Sequence, residues 1–255
     1  AQGSIRPRAR RADAPAQLES VLLDLAMADL EKLERRIEKL EQELKRGLKQ
    51  GQAELEVLLR CKAQVEAGRG IRDLVLSADE QKLVSSLALL SQKRALVVAN
   101  TGEEDPSGER CEALRAACEA QGLDLLAFCA PLEAEIAALA AEDQAGFLKD
   151  YGLSEPARAR LIPAAYRTLN LISFFTVGED EVRAWTIRRG DRAVTAAGKV
   201  HTDLARGFIR AETVAAETLI EKKSLAACRE AGLLRLEGKD YVVQDGDVIE
   251  IRANA

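Results

Sequence analysis

The sequence predicts an α/β part followed by an α+β part, and three observations predict it. Leucine and isoleucine recur at alternating spacings of three and four over residues 30–44, the pattern of a helical seam. Two short apolar runs, 95–99 and 123–128, are each followed by a helix-like stretch, the order that builds a parallel sheet. The last third alternates strand-like runs, one crossing helix and more strands, with turns at Arg189-Gly190-Asp191 and Asp245-Gly246-Asp247, as in a small α+β domain.

Composition bounds the possibilities. A chain of 255 residues with 47% apolar content can bury a sizeable core in one large domain or two to three small ones, so global disorder is not expected. The net charge of −5 argues against a protein that coats nucleic acid. Five cysteines (Cys61, Cys111, Cys118, Cys129, Cys228) are scattered without a CxxC, and His201 is the single histidine. That pattern gives neither a zinc site nor a disulfide framework and fits a reduced, cytoplasmic setting. No apolar run reaches the roughly 20 residues needed to span a bilayer, so no membrane partner is expected. The N-terminus has arginines but no apolar signal core. It begins at Ala1 rather than methionine, and further sequence upstream is expected.

Residues 1–16, with Arg6, Arg8, Arg10 and Arg11 and two prolines, read as a flexible tail. Residues 17–91 read as a helical arm. Gln17–Arg46 is one long helix whose seam is Leu30, Leu33, Ile37, Leu40 and Leu44. Gly47 and Gly51 bracket a turn, and Gln52–Ala67 is helical again, which implies an antiparallel helical hairpin. Gly68 and Gly70 interrupt the chain. Ser77 with Glu80 forms a capping box for a helix running to about Leu90. Residues 92–170 then read as one crossover unit: strand Ala95–Ala99, buried on both faces, helix Ser107–Gln121, strand Leu123–Phe128, helix Glu133–Lys149, and a helix from Glu155-Pro156 to about Leu169.

Residues 171–255 close the chain. Val182–Ile187 is a half-buried strand. A short helix ends near Gly198, a polar corner lies at His201-Thr202-Asp203, and Phe208–Val214 is a strand. Lys222–Gly232 is helical, and Tyr241–Ile251 reads as a closing hairpin.

Three blocks of this last segment, LISFFTVGEDEVRAWTI from Leu171, AAGKVHTDLARGFIRAE from Ala196 and LRLEGKDYVVQDGDVIE from Leu234, resemble the C-terminal TGS domain of the YchF family of Obg-like ATPases. LAMADLEKLERRIEKLE, from Leu25, resembles the start of that family's coiled-coil insertion. The resemblance covers about residues 17–255. It implies a coiled-coil arm, part of a Rossmann-like P-loop NTPase (G) domain, and a β-grasp TGS domain, in a protein working at the ribosome, with the large subunit or RNA as partner.

Ligands of parallel sheets bind beyond the carboxyl ends of the strands. Asn100 and Glu103 follow the first buried strand, and Cys129 and Ala130 follow the second. An amide supplies a donor and an acceptor, and a carboxylate accepts from ring or exocyclic N–H groups, so the pair can read a purine; a turn or capping role for Asn100 is the competing reading. NTGE resembles the family's Asn-x-x-Glu variant of the guanine-reading motif, which goes with ATP use, and Cys129-Ala130 resembles its last base-binding loop. Pro131 removes one backbone N–H there. The sequence nowhere contains GxxxxGK[ST]; Gly198-Lys199-Val200 is its only echo. The phosphate cradle, its lysine and the magnesium-binding hydroxyl are therefore absent. ATP with magnesium is the cofactor the resemblance implies for a whole family member, but neither tight binding nor turnover is expected of this chain, and no catalytic or metal-ligating residue is assigned. Glu181–Glu212 carries seven basic residues (Arg183, Arg188, Arg189, Arg192, Lys199, Arg206, Arg210) against four acidic ones, which marks them as candidates for RNA or ribosome contact. The alternative reading is a non-catalytic module that associates with the ribosome or RNA through its arm and C-terminal domain.

Overall fold

The computed structural model describes residues 13–47, 51–178 and 181–254; most of the expected N-terminal tail and the centre of the 47–51 turn lie outside them. The chain divides into two compact units, one up to Leu161 and the other from Ile162.

In the first unit, α1 (Ala14–Lys45) and α2 (Gln52–Glu66) form a hairpin. Pro15 sits in the first turn of α1, where its missing N–H has no helical partner to lose. The seam buries Leu33, Ile37 and Leu40 against Leu55, Leu58, Cys61 and Val65; Leu30 and Leu44 are partly buried beside them. Arg36 donates to both carboxylate oxygens of Glu54 at 2.7 Å, and Lys62 lies 2.9 Å from Glu34. These pairings run in opposite directions along the two helices, so the hairpin is antiparallel. Burial pushes the Cys61 thiol up, against the opposing charge of Arg60.

A 3₁₀ turn at Ile71–Asp73 leads to α3 (Ala78–Val84). The capping box is formed: Glu80 N–H donates to Ser77 Oγ at 3.2 Å and Ser77 N–H to Glu80 Oε2 at 2.7 Å. The helix is shorter than its periodicity predicts. It tightens into a 3₁₀ turn at Ser85–Leu87 and ends where Ala88 takes φ 47°, which turns Leu89 into the hairpin core.

β1 (Leu96–Asn100), α4 (Glu112–Ala120) and β2 (Asp124–Phe128) form a parallel unit, in register from Leu96 opposite Asp124 to Asn100 opposite Phe128. One face packs on Leu114 and Cys118 of α4 and on Leu18 and Leu22 of α1. The other is not covered as the apolar run predicts: Val98 is 45% exposed, because among the described residues this sheet has two strands and no second helical layer over Val98. α4 also starts five residues late. Residues 101–111 form successive turns, with the Asp105 carboxylate accepting from Glu109 N–H at 2.9 Å and Arg110 N–H at 3.2 Å. The single helix expected over 133–149 is two, α5 (Ala130–Ala138) and α6 (Ala141–Asp150). Extended backbone at Leu139 and Ala140 folds α6 back, so Leu148 meets Leu132 and Ile136. α7 (Ala157–Leu169) follows, with Pro163 inside it.

The second unit holds a five-stranded sheet. Its elements are β3 (Leu171–Val177), β4 (Val182–Arg188), α8 (Ala193–Val200), α9 (Thr202–Arg206), β5 (Phe208–Ala215), α10 (Ala216–Lys222), α11 (Leu225–Glu230), β6 (Arg235–Glu237) and β7 (Asp247–Ala253). The strand order is β4-β3-β7-β5-β6; β3 and β7 run parallel and the other neighbours antiparallel. Ala193, Ala196 and Ala197 let α8 approach the sheet closely, over Ile172, Phe174, Ile187 and Ile249. Val214, Cys228 and Val248 form a second cluster.

Three sequence expectations fail in this unit. Lys222–Gly232 is not one helix: α10 ends at Lys222, Lys223 takes φ 66°, and α11 restarts at Leu225 behind the Ser224 cap. The polar corner at 201–203 is the start of α9, whose first turn the His201 ring caps by accepting from Asp203 N–H at 3.3 Å. The closing hairpin does not form. Val242 makes an isolated bridge to Arg192, and β7 pairs instead with β3 and β5. The turn is captured by β3: Ser173 N–H donates to Asp245 Oδ1 at 2.9 Å and Gly246 N–H to the Ser173 carbonyl at 2.8 Å.

Candidate functional site

The in-register pairing of β1 and β2 brings the four candidate base-binding residues to one end of the sheet. Asn100 ends β1 and Phe128 ends β2 directly opposite, so the loops starting at Thr101 and Cys129 leave at the same level. They are joined twice. Thr101 N–H donates to the Phe128 carbonyl at 3.0 Å, and Ala130 N–H donates to Asn100 Oδ1 at 3.0 Å. The Asn100 acceptor is thus committed to the second loop, and the Nδ2 donors of its exposed side chain are left for a ligand. Glu103 is exposed in the turn that follows. Cys129 is 1% exposed and its thiol belongs to the core beside Leu132 and Ile136; only its main chain can face a ligand. α5 begins at Ala130, and Pro131 occupies its first turn.

Gly108 fixes the far side of this loop. It has φ +73°, and a Cβ there would lie 2.1 Å from the Cβ of Ala127. Any larger residue would push the 101–111 loop off β2. Sequence reasoning missed two further features at this end. The Arg160 Nη1 donates to the Ala127 carbonyl at 3.3 Å, while its Nε and Nη2, and the Thr101 hydroxyl, are buried without a partner. No local pattern marks Arg160, which is thirty-three residues from Ala127. Among the described residues no group of three or more His, Cys, Asp or Glu side chains could hold a metal ion.

The seven basic candidates of the second unit do not form one patch. Arg183 lies 4.3 Å over the Trp185 ring, on the face of β4 that also carries Ile187 and looks to α8. Arg188 has the opposite parity, as does Arg210 on β5, and three strand positions separate β4 from β5 in the sheet. Arg189 lies in the turn. Arg192 is 2.6 Å from Asp240 and Arg206 3.6 Å from Asp203, both exposed pairs of small energetic weight. Lys199 sits in the last turn of α8. The polar centre of the unit is elsewhere. Asp247, 3% exposed, accepts from Tyr241 Oη at 2.7 Å, Gln244 N–H at 2.9 Å and Arg235 Nη2 at 3.2 Å. Burial, the bond to Asp247 and its charge push the Tyr241 phenol up to about 12. Glu212 is held below the usual carboxylate range, chiefly by its bond to Arg229.

Residues 171–254 match the family model YchF-GTPase_C, described as a protein of unknown function (DUF933). The ribosome-binding ATPase YchF of Bacillus subtilis is 42% identical over 241 residues, covering 93% of this chain and 66% of the relative. The protein of the same name from Haemophilus ducreyi is 40% identical over 247 residues, covering 96% and 68%. The structure of the Schizosaccharomyces pombe YchF GTPase superposes with a TM-score of 0.80 at 26% identity, over 99% of this chain and 69% of that one. The chain therefore spans about two thirds of the length of the curated relatives it matches.

Proposed function

This chain belongs to the YchF family, and from that membership we propose that it carries the base-recognition end, the arm and the TGS domain of an Obg-like, ribosome-associated ATPase, without the phosphate cradle. The observation that carries the reading is the juncture at Asn100. Two parallel strands end level, and the Asn100 side chain holds the second loop through Ala130 N–H at 3.0 Å while keeping its own amide donors. Those donors suit a purine ring nitrogen, and Glu103 suits an exocyclic amino group. The β-grasp reading is supported by a sheet whose parallel central pair is packed on α8, and the coiled-coil reading by the antiparallel seam of α1 and α2.

Base contacts position a nucleotide and do not stabilise charge on the transferring phosphoryl group, where most of the catalytic effect lies. ATP would thus be held here by its base alone. The residues present do not fit magnesium: the sequence lacks the P-loop hydroxyl, and the described residues offer no cluster of ligands. The ribosome is the proposed partner, reached through the arm and the basic residues of the second unit.

The test pairs turnover with pelleting. The purified 255-residue chain is expected to hydrolyse ATP at least about a thousandfold more slowly than a version extended at its N-terminus by the part of the Bacillus subtilis relative that this chain does not span. It is expected to sediment with ribosomes at low salt, and Arg188→Glu with Arg189→Glu to weaken that and flatten its salt dependence. Arg192 stays, since the Asp240 carboxylate 2.6 Å away offsets its charge. Equal turnover by both versions, abolished by Asn100→Ala with Glu103→Ala, would overturn the account of the missing cradle. Undiminished sedimentation of a folded double variant would remove the basic surface from the proposal.

A further inference from the structure

Two bonds at the ends of β4 settle which of its main-chain groups face outward. Arg189 N–H donates to the Asn170 carbonyl at 2.9 Å, and Gly178 N–H to the Glu181 carbonyl at 2.8 Å. The register between β3 and β4 is uninterrupted, and bonded and non-bonded pairs alternate along an antiparallel ladder. Arg183, Trp185 and Ile187 therefore bond inward to β3. Val182, Ala184 and Thr186 turn their N–H and C=O groups away from it. Arg188 N–H also points outward but is taken, donating to Asp191 Oδ2 at 2.9 Å. β4 is an edge of the sheet and, among the described residues, pairs with β3 alone. Val182 is 69% exposed and Ala184 is exposed beside it.

Free edges are commonly blunted by shortness, proline or a bulge. The opposite edge, β6, is three residues long. β4 runs for seven residues with no proline and no register shift. Its two ends also carry opposite charge. Glu181 precedes the strand, Arg188 ends it and Arg189 follows, and all three side chains are exposed.

We propose that β4 is a self-association surface, which pairs antiparallel with β4 of a second copy about a two-fold axis at Ala184. This register uses the outward residues and no others. Ala184 lies opposite Ala184, and Val182 opposite Thr186, for about six main-chain hydrogen bonds. Trp185 then lies opposite the partner's Arg183. Each ring, already under its own Arg183 at 4.3 Å, meets a second guanidinium. Glu181 gains the partner's Arg189 as a diagonal neighbour, within reach of two long side chains. A parallel pairing would instead set acidic end on acidic end. The adjacent antiparallel registers are also worse. One sets Arg183 directly opposite Arg183; the other needs the Arg188 N–H that Asp191 holds. The inference does not rest on the nucleotide or ribosome reading, since it concerns only copies of this chain.

Sedimentation equilibrium of the 255-residue chain tests it, with ¹H–¹⁵N amide shifts followed on dilution. Two paired strands bury less than a stable interface needs, so a dissociation constant on the order of 0.1 mM is expected. Dilution should move the amides of Val182, Ala184 and Thr186 more than those of Arg183, Trp185 and Ile187. Ala184→Pro removes an outward donor and no bond to β3, and should weaken association at least about tenfold. Glu181→Lys and Arg189→Glu should each weaken it at least about threefold. An equimolar mixture of those two variants should associate within about twofold of the unmodified chain, because the mixed pair restores an ion pair at both ends. A monomer at every concentration up to about 1 mM would assign the edge to some other chain and overturn the proposal. Association unmoved by Ala184→Pro, or a mixture no tighter than its two components, would overturn it as well.

Discussion

β1 and β3 are both short apolar strands, LVVAN and LISFFTV, and they end with different amounts of cover. β3 has neighbours on both edges and α8 over one face, and its Ile172 and Phe174 are fully buried. β1 has one partner strand and one packed face, and Val98 remains 45% exposed. Strand sequence therefore specifies a demand for burial, and the number of neighbours decides how far it is met. The first unit compensates by building its core elsewhere, in the hairpin seam; the second puts its core under the sheet.

Hydrogen exchange gives the largest contrast. Amides of Val248 to Ile251 in β7, flanked by β3 and β5, should be protected at least about a hundredfold more than those of Val97 to Ala99. Equal protection would break the comparison. Truncations come next. Phe174→Ala should cost about 3–5 kcal/mol, whereas Val98→Ser should stay within about 0.5 kcal/mol, as exposed substitutions do. Fluorescence of Trp185, the single tryptophan, reports the second unit's melt and should shift for Phe174→Ala; helical circular dichroism, to which the first unit's hairpin contributes most, follows the melt of the unit that carries Val98 and should not shift for Val98→Ser. A loss from Val98→Ser of the same size would mean that this face is covered after all. The smallest effect is alkaline. The Tyr241 phenol titrates near 12 in the folded unit and near 10 when unfolded. Its folded pKa is raised, so its contribution is fully present below about pH 10 and is lost as pH rises through about 12. Tyr241→Phe should flatten the second unit's stability between those values and remove one late-titrating phenol from the absorbance at 295 nm; an unchanged alkaline slope would refute the assignment.

What was legible in the sequence follows distance along the chain. Leu33, Ile37 and Leu40 declare a seam because helical period is local, and Ser77 with Glu80 declares a cap for the same reason. The partners of β7 were not legible. Asp245-Gly246 is a good hairpin turn locally, but Ser173, seventy-two residues away, captures it. Nor does any period announce that Asp29 is buried to receive two N–H groups from Leu90 and Ser91. At the candidate site, strand order placed Asn100 and Ala130 at the same sheet end; that one holds the other needed coordinates. Clustering of the basic residues in sequence did not predict clustering in space, because strand alternation divides neighbours between two faces.

The buried Asp29 has a mechanical meaning. Sixteen residues of α1 lie beyond it, to Lys45, a rigid length of about 24 Å at 1.5 Å per residue. The carboxylate grips the chain at Leu90 and Ser91, and β1 begins only five residues later, at Leu96. Asp29 thus ties the helical hairpin directly to the short link into β1, the strand that ends in Asn100.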